Sequence, residues 1–382
     1  MTTAERVSGS WAATNTTVAE VERQLHRIMR ELSHPPAAAA AHGHLVPRAI
    51  CLNILVHADD LAEAARAAQT LAEIAPRHPS RTLLMVVEPD APTDGLDASI
   101  CTQCAIWPSV GGQLCFEQVT LTARGRTALH LASVVEPLLV SDLPVILWWL
   151  GRPPARTEPL LDLCHRLVVD SAYFPDALAG LAALDTYTDR AGQRLELGDL
   201  GWRRQSLWRQ MVAELFDPLD ARPYLRQLAQ VTIEYAPTAS GTVSAAPLLL
   251  LGWLAARLDW QPAAATTSGS TVATTFRTDE EEPEGINARL RARPAAASEP
   301  GEPLAIRLQA GAGEPAASFE VRREPDRGVI ESRAMLPNGR QYGRALAWVP
   351  PTRAELLARE LELPAADPLY AESLAVVARL VR

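Results

Sequence analysis

Cys101-Thr102-Gln103-Cys104 has the spacing of a redox or zinc pair in this 382-residue chain. A thiol–disulfide pair needs a helix start, yet the flanks here alternate as in a strand, which points cysteines three apart to opposite faces. Zinc needs a second pair at suitable spacing, and Cys51, Cys115 and Cys164 stand alone in the sequence. The reading is therefore buried, inert thiols. Gly311-Ala312-Gly313-Glu314-Pro315-Ala316 matches the dinucleotide fingerprint superficially, but a strand pattern follows it rather than a helix, so it reads as a hairpin turn. His78-Pro79-Ser80-Arg81 has no neighbour that would orient a nucleophile and base. It reads as a turn in which Arg81 pairs with a carboxylate. The chain contains no lysine. Lysine Schiff-base chemistry, pyridoxal catalysis and a Walker A loop are thereby excluded. No Ser-His-Asp signature, metal-ligand spacing or paired carboxylates stand out, and no cofactor is expected.

Two aromatic clusters remain. In Ser141 to Pro154, Pro144 opens an apolar run, Val145 to Leu150, of the kind covered on both faces of a sheet. Adjacent Trp148 and Trp149 must face opposite sides of that strand, so one fills a core layer and the other covers a different layer or reaches a surface. In Gly198 to Arg209, Asp199 can cap a helix whose stripe of Leu207, Trp208, Met211, Val212, Leu215 and Phe216 suits a core. Arg204 lies one turn before Trp208 and can stack on it. Trp202, Arg203, Arg204, Trp208 and Arg209, with Trp149, have the composition of an interface hot spot, though an intramolecular arginine–tryptophan lid fits as well.

These clusters must be positioned by a two-domain chain. Helix signals at Thr16 to Leu32 and a linker-like His34 to His44 precede an alternation of strands and helices. The strands run Ile50 to Val56, Thr82 to Val87, a pair around Gly111-Gly112, the Trp-Trp strand, and Arg166 to Val169. The helices are Leu61 to Ile74 and Thr127 to Leu139, with a shorter one at Pro159 to Leu163. That order predicts an α/β N-terminal domain with a mostly parallel sheet over residues 48–190. Helices at Trp202 to Phe216 and Ala245 to Leu258, four strands between Thr271 and Met335, and two closing helices predict an α+β C-terminal domain over 191–382. A stretch rich in Glu, Pro and Ala at 278–303 reads as a mobile loop, and 1–47 as a helix and linker. The formal net charge of -9 argues against nucleic acid. No apolar run is long enough to span a membrane and the N-terminus has no signal-peptide pattern, so the expected location is the cytoplasm.

Several blocks occur in a recognisable order: His78-Pro-Ser-Arg81, Glu117-Gln-Val119, Pro137 through Val145 with Trp148-Trp149, Val169-Asp-Ser171, Gly198-Asp-Leu-Gly-Trp202 through Arg209, and Phe216-Asp217. Leu251-Gly-Trp253-Leu254 and Leu258-Asp-Trp260 extend the series. Together they resemble the OpcA family of glucose-6-phosphate dehydrogenase assembly proteins, most closely over residues 48 to 262. The resemblance implies a non-catalytic cytoplasmic protein that binds glucose-6-phosphate dehydrogenase, promotes its active oligomer as an allosteric activator, and supports NADPH supply through the oxidative pentose phosphate pathway. The alternative is an enzyme or small-molecule binder using the crevice at the carboxyl ends of the parallel strands, near Asp142 or Asp170.

Overall fold

The computed structural model describes residues 5–33, 48–107, 112–188, 195–263, 265–278, 285–295, 298–311 and 316–381. They form two compact units that do not follow a single cut at 190/191. The first unit comprises Met1–Val169, Gln193–Gly198 and Arg353–Pro364; the second comprises Asp170–Gly192, Asp199–Thr352 and Ala365–Arg382.

The sheet of the first unit contains β1 (Glu5–Ala13), β2 (Arg48–Ala49), β3 (Leu52–Ala58), β4 (Ser80–Glu88), β5 (Gly95–Trp107), β6 (Gly112–Arg124), β7 (Val145–Trp149), β8 (Arg166–Val169) and β9 (Glu196–Asp199). Their order is β1-β5-β6-β4-β3-β7-β8-β9, with β2 beside β6. Neighbours from β6 to β8 are parallel, while β1–β5 and β5–β6 are antiparallel. Every residue of β3 and β7 is buried, as strands covered on both faces require. The N-terminal segment is thus more than a helix and linker. Its strand β1 joins the sheet, and the helix Val18–Ser33 packs so closely on it that a Cβ on Gly9 would stand 2.6 Å from Ile28 Cγ2.

Strand register and the approach to β7 set the buried polar contacts of this core. Arg81 on β4 lies beside Glu117 on β6, and its Nε donates to Glu117 Oε2 at 2.8 Å. Arg81 Nη1 also donates to the Leu138 carbonyl at 3.0 Å. Asn53 clamps the approach to β7, donating to the Val140 carbonyl at 3.0 Å and accepting from the Val140 N–H at 2.9 Å. The β5–β6 hairpin sets Cys104 directly opposite Cys115, and the two are disulfide-bonded. That corrects the reading of inert thiols: Cys115 does not stand alone, and Cys101 is exposed. The helix Arg353–Leu361 also belongs to this unit. Arg166 of β8 donates to the Glu360 and Leu363 carbonyls at 2.8 and 3.0 Å and pairs with Glu196 of β9.

The second unit has its own sheet: β10 (Leu228–Tyr235), β11 (Gln261–Pro262), β12 (Thr266–Ser268), β13 (Thr271–Arg277), β14 (Ile286–Ala292), β15 (Pro303–Ala310), β16 (Ala317–Glu324), β17 (Val329–Met335) and β18 (Gln341–Ala347). The order is β11-β13-β14-β10-β15-β16-β17-β18, with β12 beside β13, and β10–β14 is a parallel pair among antiparallel neighbours. Apolar helices such as Ala245–Arg257, buried nearly throughout, cover one face. The other face carries the polar alternates, clearest in β14, where Asn287, Arg289 and Arg291 are exposed between buried neighbours. Strand β14 lies inside the stretch expected to be a mobile loop; residues 279–284 and 296–297 lie outside the described residues. The helix expected over Trp202–Phe216 is two helices, Leu200–Arg204 and Ser206–Glu214, separated where Gln205 takes φ -93, ψ 5. The expected turn at Gly311 falls largely outside the described residues, and a strand follows it.

Candidate partner-binding site

The parallel strands of the first unit reverse their winding at β3. The chain proceeds from β3 to β4 on one side and later returns to place β7 on the other. The crevice at the carboxyl ends of β3 and β7 is where open α/β sheets place ligands. Here the register seats His57 beside Trp149, and their rings stack at 3.7 Å with 6° between planes. Trp148 and Trp149 are both buried, at 0% and 8% exposure, so Trp149 covers this end of the sheet instead of reaching the surface. Burial drives the His57 pKa down to about 4, so the ring is neutral at pH 7. Beyond it, Asp60 caps the helix Leu61–Ile74, its Oδ1 accepting from the Glu63 N–H at 2.7 Å. Asp59, Asp60 and Glu63 thus crowd the helix start that would otherwise attract a phosphate. Burial and the neighbouring Asp60 push the Asp59 pKa up. An anionic cofactor would meet a stacked pair and three carboxylates. Asp142 sits at the opposite, amino end of β7.

The second cluster is built around Asp199 in the second unit. Its Oδ1 accepts from the Gly201 N–H at 2.8 Å and the Ser171 N–H at 2.9 Å. Its Oδ2 accepts from Ser171 Oγ at 2.6 Å and Tyr370 Oη at 3.0 Å. Burial pushes its pKa up to about 6 despite the hydrogen bonds from Ser171. Gly201 is required by closeness, because a Cβ there would stand 2.4 Å from Ser171 Oγ.

From this cap the chain projects the tryptophans and arginines singled out by sequence. Trp202 is 1% exposed and its Nε1 donates to Asp367 Oδ2 at 2.9 Å. The Arg209 guanidinium lies 3.4 Å from the centre of the Trp202 ring, and Nη1 donates to the Trp202 carbonyl at 2.8 Å. Arg209 therefore forms the arginine–tryptophan lid. Arg204 does not stack on Trp208. It grips buried Asp170 through two 3.0 Å hydrogen bonds. Arg203 stands 3.4 Å from Asp367. Trp208 is fully buried and meets Trp348 edge-on at 6.3 Å. The surface above these groups is made by the partly exposed Arg203, Arg204 and Arg209 and by Tyr173, which is 66% exposed and whose ring centre lies 6.0 Å from the Arg204 guanidinium. Sequence reasoning missed Tyr173. The only signal was its place two residues beyond the Val169-Asp-Ser171 block.

Fold and site define a two-unit α/β protein with a stacked histidine–tryptophan pair at the sheet end and an arginine-rich aromatic patch. The chain belongs to the OpcA family. The model described as glucose-6-phosphate dehydrogenase subunit N-terminal domain matches residues 71–186, and that described as its C-terminal domain matches residues 195–374. Similar proteins carry the name OxPP cycle protein OpcA. The one from Nostoc punctiforme is 33% identical over 194 residues, 50% of this chain and 40% of that protein. The one from Synechococcus elongatus is 29% identical over 324 residues, 81% of this chain and 69% of that protein. The match thus spans less than half the length of the Nostoc relative. A Gfo/Idh/MocA family oxidoreductase from Vibrio cholerae overlaps 86% of this chain and 96% of its own at 11% identity and a TM-score of 0.35, a likeness too weak to bear on fold or function.

Proposed function

We propose that this chain is a non-catalytic cytoplasmic partner of glucose-6-phosphate dehydrogenase that favours the enzyme's active oligomer and so supports NADPH supply in the oxidative pentose phosphate pathway. Family membership over both units supports the partner. The observation that carries the non-catalytic part is the buried Trp149–His57 stack, which stands at the sheet end where an enzyme of this type would place its ligand, with the exposed carboxylates Asp59 and Asp60 next in the chain. Among the described residues no helix is long and apolar enough to cross a membrane, which is compatible with this placement.

Activation would operate by linkage. A protein that binds the active assembly more tightly than the inactive one shifts the population by that difference, typically about 1–3 kcal/mol or ~5–150-fold. The contact surface is the patch of Tyr173, Arg203, Arg204 and Arg209, held in shape from below by Trp202 and Trp208. Trp149 contributes in the first unit by fixing the end of the sheet. Co-elution of the purified chain with purified dehydrogenase tests the binding, and Tyr173→Ala with Arg203→Ala tests the surface. Intact co-elution of that double variant would reassign the contact. Separate elution of the parent proteins would remove the proposal.

A further inference from the structure

The open face of the second sheet carries three adjacent rows of side chains. Arg289, Thr232 and Arg307 lie in register across β14, β10 and β15. Asn287, Gln230 and Gln309 form the row on one side, and Arg291, Glu234 and Ala305 the row on the other. Neighbouring strands lie about 4.8 Å apart, which sets the Arg289 and Arg307 backbones roughly 10 Å apart with only a threonine between them. Ala273 faces Arg289 from β13. The short floor leaves an open hollow of about 580 Å³ bordered by Arg289, Arg291, Arg307, Gln230, Asn287 and Gln309.

Glu234 organises this hollow. It is 2% exposed and receives Arg291 Nε at 2.9 Å, Arg307 Nη1 at 2.9 Å and Arg293 Nη1 at 3.2 Å. Burial alone would raise its pKa. Hydrogen bonds from Arg307 and Arg291, with their charges, outweigh burial and lower it, so the carboxylate is ionised at neutral pH. Arg307 Nε also reaches Glu320 at 2.7 Å. Four guanidinium groups, Arg289, Arg291, Arg293 and Arg307, therefore face two carboxylates, Glu234 and Glu320, leaving a local surplus of two positive charges on a chain of net charge -9. Exposed Arg289 has no ion pair among the described residues.

We propose that this hollow binds a small phosphate-bearing anion, its phosphate held between Arg289 and Arg307 and the remainder of the molecule contacted by Gln230, Asn287 and Gln309. Planar guanidinium donors match phosphate oxygens two at a time. The amide and hydroxyl rim suits a sugar or polyol, and among the described residues no aromatic side chain lines the hollow to stack a base. The hollow shares no residue with the patch around Tyr173, and its binding does not depend on the dehydrogenase.

Titration calorimetry of the full chain alone, at low ionic strength, tests it with inorganic phosphate, glucose 6-phosphate and glucose. Saturable 1:1 binding of a phosphate-bearing probe, with none for glucose, is expected; the ratio of free phosphate to ester affinity shows which source the site prefers. Arg289→Gln should weaken that binding ~10–100-fold, the loss of one charged hydrogen-bonding group, with an unchanged melting midpoint. Thr232→Tyr should fill the hollow and abolish binding. Absence of binding by either phosphate probe, equal binding of glucose, or undiminished binding by both variants would overturn the assignment.

Discussion

Replacing Arg204 with alanine should cost stability before it touches any partner. Arg204 gives both of its terminal nitrogens to Asp170, whose side chain is 3% exposed while that of Arg204 is 26% exposed. Removing one member of a buried pair typically costs about 3–5 kcal/mol, because the other charge is stranded. Partial exposure of Arg204 admits some water, so ~2–4 kcal/mol is the expectation here. For a unit of roughly 200 residues this is a fall of about 5–12 °C in melting midpoint. Scanning calorimetry at pH 7 on Arg204→Ala, Asp170→Ala and the double variant reads it. The double variant, with no stranded carboxylate, should recover about 1–3 kcal/mol relative to Arg204→Ala. An Arg204→Ala midpoint within about 2 °C of the parent, or a double variant no better than the single, would refute the reasoning. Lost partner binding in Arg204→Ala would therefore not by itself identify a contact residue.

His57 and Asp199 should give opposite pH signatures. The His57 pKa is lowered to about 4, so its stabilisation is present above pH 6.5 and lost as pH falls through 4; His57→Phe should gain on the parent over that window, by on the order of 3 kcal/mol. The Asp199 pKa is raised to about 6, so its contribution is present below pH 3.8 and lost as pH rises through 6; Asp199→Asn should gain on the parent in that direction, and parallel melting curves would contradict either claim. Arg166→Met removes the guanidinium hydrogen bonds to the Glu360 and Leu363 carbonyls, and a cost of about 2–4 kcal/mol by denaturant unfolding is expected, whereas a cost under about 1 kcal/mol would show that water or other donors replace them. Without reductant, iodoacetamide followed by mass mapping should label the exposed Cys51 and Cys101 and spare Cys104 and Cys115; labelling of Cys104 before reduction would contradict the pairing.

The elements legible in the sequence were those with strong apolar periodicity. The helix Leu61–Ile74 and the strands Arg166–Val169 and Val329–Met335 fall where the pattern places them. What escaped was weakly patterned or non-local. Strand β1 alternates through Gly9 and Ala13 with little hydrophobic weight and gains its place by pairing with β5. Strand β14 hides in a Pro/Glu/Ala-rich stretch because arginines occupy its exposed face. The discontinuous units arise because β8 binds the end of a helix nearly two hundred residues later, a contact no local pattern encodes. The arginine cluster was found by type, but its pairings were not. Asp170, Asp367 and Tyr370 come from distant segments, and only the fold shows that Arg204 holds Asp170 while Arg209 covers Trp202. The Cys104–Cys115 bond is of the same kind, set by hairpin register rather than by the Cys101–Cys104 spacing.

The most direct test of the assembly role is to titrate the chain into purified glucose-6-phosphate dehydrogenase and record initial rate and light-scattering mass on the same samples. A saturable rise in rate, accompanied by a heavier dehydrogenase assembly that contains the chain, is the predicted result. A flat rate with the enzyme's mass unchanged at every ratio would contradict the account.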